Sequence, residues 1–413
     1  MVGNATLDSI NIPLGSLQTE AANPDTAEID VISTEAMCRI MNQQDMNVPL
    51  AVGRCIPKIS RIIDVISERM RDGGRLVYIG AGTSGRLGVL DASEIPPTFS
   101  APSSQFIGII AGGDSALRKS IEGAEDSSIL PIDALSALSP PLTPLDTLIG
   151  IASSGRTPYV LAGMKYAKDA LDMLTIGIAC VDRSEMRMKG CCGVKEDGSL
   201  AKPVNDEDCA IECVVGPEIV AGSTRMKAGT ATKLILNMIS TGIMIKLGKT
   251  YGNMMIDVKS SNNKLADRAR RIFQAVVDST PSSFSESAPK RFTPTEIDEL
   301  IKLCDGSVKT AIVVAKLNCS IEHAKELLTQ ADGVLKKVLL SAEGNNGHGS
   351  EGENIPGKSG LFLCIDAGGS RCKAVIASKD GIVARSEGGP CNLLSCSFLA
   401  PWAIVLTYFY RVS

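Results

Sequence analysis

Apolar residues recur along this chain in two rhythms. Short, nearly continuous apolar runs at Arg75–Ile79, Phe106–Ile110, Leu148–Ala152, Thr175–Cys180 and Cys209–Val215 read as strands buried on both faces. Between most of them the apolar positions fall three and four apart, which is the helical rhythm. The first run ends in Gly80-Ala81-Gly82-Thr83-Ser84-Gly85-Arg86, the second in Ala111-Gly112-Gly113-Asp114, the third in Ser153-Ser154-Gly155-Arg156-Thr157-Pro158. Buried strands alternating with helices predict a doubly wound α/β domain built on a parallel sheet. Ahead of it, Ile59, Ile62, Ile63 and Ile66 place a helix over Ala51–Met70, with Pro57 expected to break it early and Asp72-Gly73-Gly74 closing it. A longer helical run begins near Ser223 and continues through Lys227, Leu234, Leu236, Met238 and Ile245. Thr293-Pro294-Thr295-Glu296 and Ser320-Ile321-Glu322 are helix starts within a small helical region.

The punctuation between these elements predicts the domains. Residues 1–48 form a polar N-terminal segment with turn signals such as Asn23-Pro24. Residues 49–290 carry the α/β domain and 291–340 a helical, UBA-like subdomain. Residues 341–359, polar and rich in Gly and Asn, read as a linker. A fresh strand at Leu361–Ile365 opens a last piece, 360–413.

Composition narrows the function classes. With 44% hydrophobic residues and a formal charge of −4 over 413 residues, there is enough apolar material to fold and no electrostatic case for nucleic acid. Aromatic residues make up only 4%, too few for base-stacking platforms, and several crowd the far end as Phe398, Trp402, Tyr408, Phe409 and Tyr410. The 13 cysteines are irregularly spaced and include no CxxC pair, so they read as small apolar residues of a reducing compartment. No basic segment followed by an apolar run opens the chain, so the cytosol is the expected location. No His/Cys/Asp cluster has metal-ligand spacing.

Three loops hold the candidate chemistry. In an open parallel sheet, ligands bind beyond the carboxyl ends of the strands. Gly82, Thr83 and Ser84 after the first strand, and Ser153, Ser154, Gly155 and Thr157 after the third, combine hydroxyls, adaptable backbone and a following helix N-terminus, which suits a phosphate dianion. Neither loop is a Walker loop, and although Gly80, Gly82 and Gly85 have the GxGxxG spacing, that spacing alone does not imply a nucleotide. The third loop runs from Gly216-Pro217-Glu218 to Gly222-Ser223-Thr224-Arg225-Met226-Lys227; Ser223 and Thr224 could cap the long helix and bind an oxyanion with Lys227. Periodicity alone makes Glu94, Glu122 and Glu125 surface charges, the last two on a short polar helix. With only two histidines, His323 and His348, neither near the sheet's ligand edge, acid–base work falls to carboxylates or lysine.

Four long stretches, "YIGAGTSGRLGVLDASEIPPTF", "IAGGDSALRKSIEGAEDS", "GIASSGRTPYVLAGMKYA" and "GSTRMKAGTATKLILNMISTGIMIKLGKTYGNMMIDV", resemble the N-acetylmuramic acid 6-phosphate etherases of the sugar isomerase (SIS) superfamily over residues 20 to 340. The resemblance implies cleavage of the D-lactyl ether of a phosphosugar, no metal or organic cofactor, and a homodimer. It implies that Glu94 protonates the leaving lactate and that Glu125 removes the proton from C2. Thr83, Ser84, Ser153, Ser154 and Thr157 become phosphate contacts, Ser223, Thr224 and Lys227 close the site, and Glu218 holds sugar hydroxyls. Residues 182–208 are longer and more polar than the corresponding family loop and are expected to protrude clear of the sheet core. The rival reading is a non-catalytic phosphosugar sensor resembling the glucokinase regulatory protein. A sugar isomerase and a SIS-domain transcription regulator are further rivals; the latter needs a helix-turn-helix and a basic face that the sequence lacks.

The tail "LFLCIDAGGSRCKAVIASKDGIVARSEGGPCNLLS" resembles the start of an N-acetylglucosamine kinase of the actin/hexokinase-like superfamily, with Asp366-Ala367-Gly368-Gly369-Ser370 as its first phosphate loop on a hairpin and Lys373 following. Two such lobes need about 300 residues or more, and about fifty are present, so the expectation is a cut-short fusion with an inactive kinase half. The apolar stretch Leu393–Tyr410 contains Ser395, Ser397 and Pro401 and is too interrupted for a spanning helix of about 20 residues, so no membrane anchor is expected.

Overall fold

The computed structural model of the chain describes residues 15, 17–121, 123–193, 209–257, 263–279 and 291–344, together with the strand segments 362–367, 372–378 and 381–388. In it β1 (Leu76–Gly80), β2 (Phe106–Ile110), β3 (Thr147–Ile151), β4 (Leu174–Ala179) and β5 (Ala210–Glu212) form one parallel sheet in the order β2-β1-β3-β4-β5. Every residue of β1, β3 and β4 is buried, as continuous apolar runs require. From β1 the chain moves to one side to lay down β2, then returns to the other side for β3. Loops after β1 and β3 therefore part in opposite directions and open a crevice at the carboxyl edge.

Helices cover both faces. α1 (Thr34–Asp45), α2 (Asn47–Arg71) and α3 (Gly82–Phe99) are followed by a single turn, α4 (Ser115–Arg118), then α5 (Leu130–Ser136), α6 (Pro158–Leu171) and α7 (Lys227–Lys246). Tyr78 and Ile79 show the two faces. The Tyr78 hydroxyl donates to Asp91 of α3 at 3.0 Å, while Ile79 packs under Gly163 of α6. Tyr78 is fully buried, and burial first, then the Asp91 charge, pushes its phenol well above the ordinary value. Lys233 of α7 closes this network on Asp91 at 2.8 Å. α7 is long and apolar enough to cross a bilayer, but its apolarity is explained by packing: Ala228, Ala231, Ile235, Leu236, Ile239 and Ile243 are wholly buried.

Two expectations are corrected here. Pro57 does not break its helix: α2 runs unbroken from Asn47 to Arg71. Pro57 lies on the solvent face, and so does Gly53, whose carbonyl loses its partner, while Ala51, Val52, Cys55, Ile59, Ile62 and Ile66 keep one continuous buried stripe on either side of it. Each such buried branched side chain is worth about 1.5–3 kcal/mol, comparable to what an interior proline costs, so together they override it. Nor does the start of the 182–208 segment stand clear of the sheet. Met186, Met188, Cys191 and Cys192 are buried in the main core, and Gly193 forms an antiparallel bridge with Thr175. Gly177 of β4 provides the hollow: a β-carbon there would lie 2.9–3.0 Å from Met186, Met188 and Cys192. Residues 194–208 lie outside the described residues.

A second core begins earlier than the expected boundary at 291. Ile256 and the inner face of α8 (Asn263–Ser279) pack with α9 (Pro294–Leu303), α10 (Val308–Leu317), α11 (Ile321–Gln330) and α12 (Leu335–Gly344) around Phe273, Ile301, Val308, Ile312 and Leu335. A small hairpin, β6 (Thr250–Tyr251) and β7 (Met254–Met255), precedes it. Thr293 and Glu296 form the capping box that their spacing predicts, and Ser320 caps α11. The C-terminal unit, considered alone, has β8 (Phe362–Ala367), β9 (Cys372–Ser378) and β10 (Gly381–Gly388) in an antiparallel sheet ordered β10-β9-β8. Residues 368–371 between the first two strands, and the aromatic end from 389 onward, lie outside the described residues.

At the amino edge of the sheet, Asp146 ties β1 to β3. Its carboxylate accepts the Arg75 backbone N–H at 2.7 Å and the Arg75 guanidinium at 2.8 and 3.0 Å, and the N–H of Thr143 at 2.7 Å. Burial alone would raise its pKa, but these hydrogen bonds and the Arg75 charge overcome burial and hold it below the ordinary carboxylate value. A folded-state pKa below the unfolded one gives stability that is present above about pH 4, the unfolded value, and lost as pH falls through the folded value. Asp146→Asn should therefore lower unfolding stability at neutral pH by about 2–4 kcal/mol and flatten the acid limb of the stability curve, as read by denaturant titration across pH.

Candidate active site

The crevice at the carboxyl ends of β1 and β3 holds a cavity of about 650 Å³. It forms because the β1–α3 turn is closed backbone on backbone. A β-carbon on Gly80 would lie 2.6 Å from the Gly85 nitrogen, and one on Gly85 would lie 2.7 Å from the Gly80 carbonyl oxygen. With no side chains between them, α3 starts at once after the strand, and Gly82, Thr83 and Ser84 form its first turn rather than a free loop. The β3–α6 turn does the same with Gly155, whose φ of +64° suits glycine, and whose N–H donates to the Ala152 carbonyl at 2.8 Å. The Gly155 carbonyl in turn accepts the N–H groups of Arg187 and Met188, which fastens the 182–193 segment against the site.

Gly82, Thr83, Ser84, Ser153, Ser154, Thr157 and Thr224 all line the cavity, and so does Glu125. Neither Ala81 nor Thr157, the residues that precede α3 and α6, caps its helix with a side chain. The first N–H groups of α3 are thus left for a ligand beside the hydroxyls, whereas α6 opens with Pro158, which has no N–H, and its Val160 N–H is taken by the Thr157 carbonyl, so α6 contributes the positive end of its dipole. Arg156 and Arg187 add two guanidiniums to the same lining. Burial first, and then the Arg187 charge, holds Arg156 below its ordinary pKa, against the raising charge of Glu185. A dianion bound at this lining would offset the repulsion between the two guanidiniums.

The structure does not bring the remaining expected residues to the cavity. Glu218, 1% exposed, accepts the N–H groups of Lys227 and Ala228, each at 2.9 Å, and so caps α7. That corrects the expected cap: α7 begins at Lys227, not near Ser223, and Ser223 lies in the turn before it. A carboxylate suits two helix-end N–H groups better than a hydroxyl does. Lys227, 2% exposed, turns its ammonium to the Pro217 carbonyl at 2.9 Å and to Gln44 at 3.3 Å. Burial pulls its pKa down, against the raising charges of Glu218, Asp45 and Asp25. Gly155 shapes the turn but does not face the cavity.

The two glutamates part company. Glu125 sits in a 3-10 turn (Ala124–Asp126) at the cavity, also bordering an adjoining space of about 170 Å³ that shares Gly82. Glu122 lies outside the described residues. Glu94 is on the exposed face of α3, in line with Thr83, Leu87 and Leu90, and about 16 Å further along the helix axis than Thr83. It cannot reach a sugar whose phosphate is held at Thr83 of the same chain. Sequence reasoning missed Thr19, Glu20, Asp126, Arg156 and Arg187 as lining residues. Arg156 stood within the Ser-Ser-Gly-Arg-Thr signal; Thr19 and Glu20 come from the polar N-terminal segment, where no period marks them.

Residues 58–168 match the family model of the glucokinase regulatory protein N-terminal SIS domain. Over 328 residues the chain is 44% identical to an N-acetylmuramic acid 6-phosphate etherase of Rhodopirellula baltica, covering 79% of this chain and 98% of that protein. A relative of the same name from Pectobacterium atrosepticum is 44% identical over 80% of this chain and 98% of its own length. One from Lactobacillus acidophilus is 45% identical over 78% and 98%.

A β-carbon on Gly155 would meet Met186 Cγ at 2.8 Å in a backbone conformation that side chains resist. Gly155→Ala should cost about 1–3 kcal/mol in thermal unfolding and weaken inorganic phosphate binding in calorimetric titration. Unchanged phosphate affinity would show that this turn does not shape the site.

Proposed function

The chain belongs to the N-acetylmuramic acid 6-phosphate etherase family, and from that membership we propose that it cleaves the D-lactyl ether of N-acetylmuramate 6-phosphate to N-acetylglucosamine 6-phosphate and D-lactate. The observation that supports this reading most is a cavity in which a carboxylate, Glu125, stands among two uncapped helix ends, seven hydroxyls and two guanidiniums. Phosphate binding anchors the sugar, and the carboxylate faces what is anchored.

The chemistry then follows from the substrate. The ring opens, and the C1 aldehyde acidifies the proton on C2. Glu125 takes that proton; the C3–oxygen bond breaks and the departing lactate oxygen receives a proton from Glu94. Water adds to C3 of the unsaturated aldehyde, with Glu94 as base, and C2 regains a proton. Two carboxylates in opposite protonation states suffice for both halves.

Since Glu94 lies about 16 Å along α3 from Thr83, this assignment requires Glu94 to come from a second copy of the chain. Leu90 on α3 is 45% exposed, and Met238 and Ile245 on the neighbouring α7 are 38% and 50% exposed. We place the homodimer contact on this apolar face, which carries Glu94. The cysteines from Cys38 to Cys319 among the described residues are free thiols, which fits a cytosolic location. For the C-terminal unit, the antiparallel strands on either side of 368–371 fit the first phosphate hairpin of an amino-sugar kinase.

Incubation with N-acetylmuramate 6-phosphate should release D-lactate. Tight phosphosugar binding without lactate would instead favour a sensor, the reading that the match to the glucokinase regulatory protein domain keeps in play. Glu94→Gln and Glu125→Gln should each abolish release, with isotope exchange at C2 kept by the first and lost by the second. Mixed and re-equilibrated in equal amounts, the two dead variants should recover about a quarter of wild-type activity, because half the dimers then own one intact site. No recovery would place both glutamates in one chain's site.

A further inference from the structure

The N-terminal segment crosses the cavity mouth and is fastened on both sides of it. The Gln18 N–H donates to Glu185 at 3.1 Å on the β4 side, and the Thr19 carbonyl accepts the Gly222 N–H at 3.1 Å on the α7 side. Farther on, Thr26 donates to the Ile219 carbonyl at 2.9 Å, and Asn23 donates to Gln44 at 3.0 Å. Leu17 anchors the start, 2% exposed.

Two side chains of this strap line the cavity. Thr19 is 4% exposed, and its hydroxyl finds no hydrogen-bond partner among the described residues. A hydroxyl buried so deeply is normally paired, so an unpaired one on a residue that lines a ligand cavity points to a partner on the ligand. Glu20 places its carboxylate over Gly222, where a β-carbon would come within 2.9 Å of Oε2. Around it the lining offers donors and cations suited to a phosphate, whereas a carboxylate repels phosphate and accepts from neutral donors. Thr19 and Glu20 therefore suit the rest of a phosphosugar.

We propose that Thr19 and Glu20 are substrate-binding residues that hydrogen-bond the sugar's own hydroxyls or acetamido N–H, while the helix ends hold its phosphate. The inference rests on the phosphosugar reading given above. It makes the strap part of the site and assigns it the recognition of the sugar, separate from that of the anion.

The test uses the full chain and two probes, N-acetylglucosamine 6-phosphate and inorganic phosphate, titrated calorimetrically into wild type, Glu20→Gln and Thr19→Val. Losing a charge-assisted acceptor should weaken sugar-phosphate binding about ten- to hundredfold in Glu20→Gln, and losing the hydroxyl about three- to tenfold in Thr19→Val. Inorganic phosphate should bind both variants within about twofold of wild type, or more tightly when the Glu20 charge is gone. With muramyl substrate, both should raise KM and leave kcat little changed, the mark of binding made equally in ground and transition states. Thr19→Val removes an unpaired hydroxyl, so its melting temperature should hold or rise. Sugar-phosphate affinity unchanged in both variants, or a parallel loss of both probes, overturns the proposal. Failure of the etherase reading shows separately, as wild type that releases no D-lactate while the binding comparison still reads out.

Discussion

Gly80 and Gly85 approach so closely that neither position has room for a β-carbon, and α3 must leave the end of β1 without an intervening loop. The placement of that helix then sets much of the site. Its uncapped N-terminus faces the cavity, its inner side meets Tyr78 through Asp91, and its outer side carries Leu90 and Glu94 away from the cavity of its own chain. One backbone contact thereby fixes both where α3 presents its N-terminus to the cavity and which way Leu90 and Glu94 face.

The cavity is an electrostatic mixture. Hydroxyls, helix ends, Arg156 and Arg187 favour negative charge, yet Glu20, Glu125 and Asp126 share the same lining. Anion affinity alone has no use for three acids. They are intelligible when the ligand is a phosphate joined to a body that donates hydrogen bonds and gives up a proton, so that each region of the ligand finds groups of matching polarity.

Much of the fold was legible because parallel strands buried on both faces are written as unbroken apolar runs, and the turns after β1 and β3 announce themselves in Gly and Ser. Pro57 misled because its local penalty was weighed without the stripe from Ala51 to Ile66 that outweighs it. Residues 182–193 misled because the sulfur-bearing side chains Met186, Met188 and Cys192 sit among polar neighbours, and nothing in their spacing reveals the hollow over Gly177. Glu218 and Lys227 look like ligand groups in sequence, and only the fold shows that they are occupied with α7, Pro217 and Gln44. Glu94 and Glu125 carry no periodic signal, and resemblance alone singled them out. Thr19 and Glu20 are brought to the cavity by contacts with Gly222, about two hundred positions away, which no local pattern encodes.

Three helices begin near the ligand edge, and Glu218 treats one of them differently. By sitting on the N–H groups of Lys227 and Ala228, it gives the longest of these helices a permanent internal counter-anion. Of the three, α3 and α6 are left to present their N-termini at the cavity. On the phosphosugar reading, a second phosphate on the same sugar would find no third helix end to receive it.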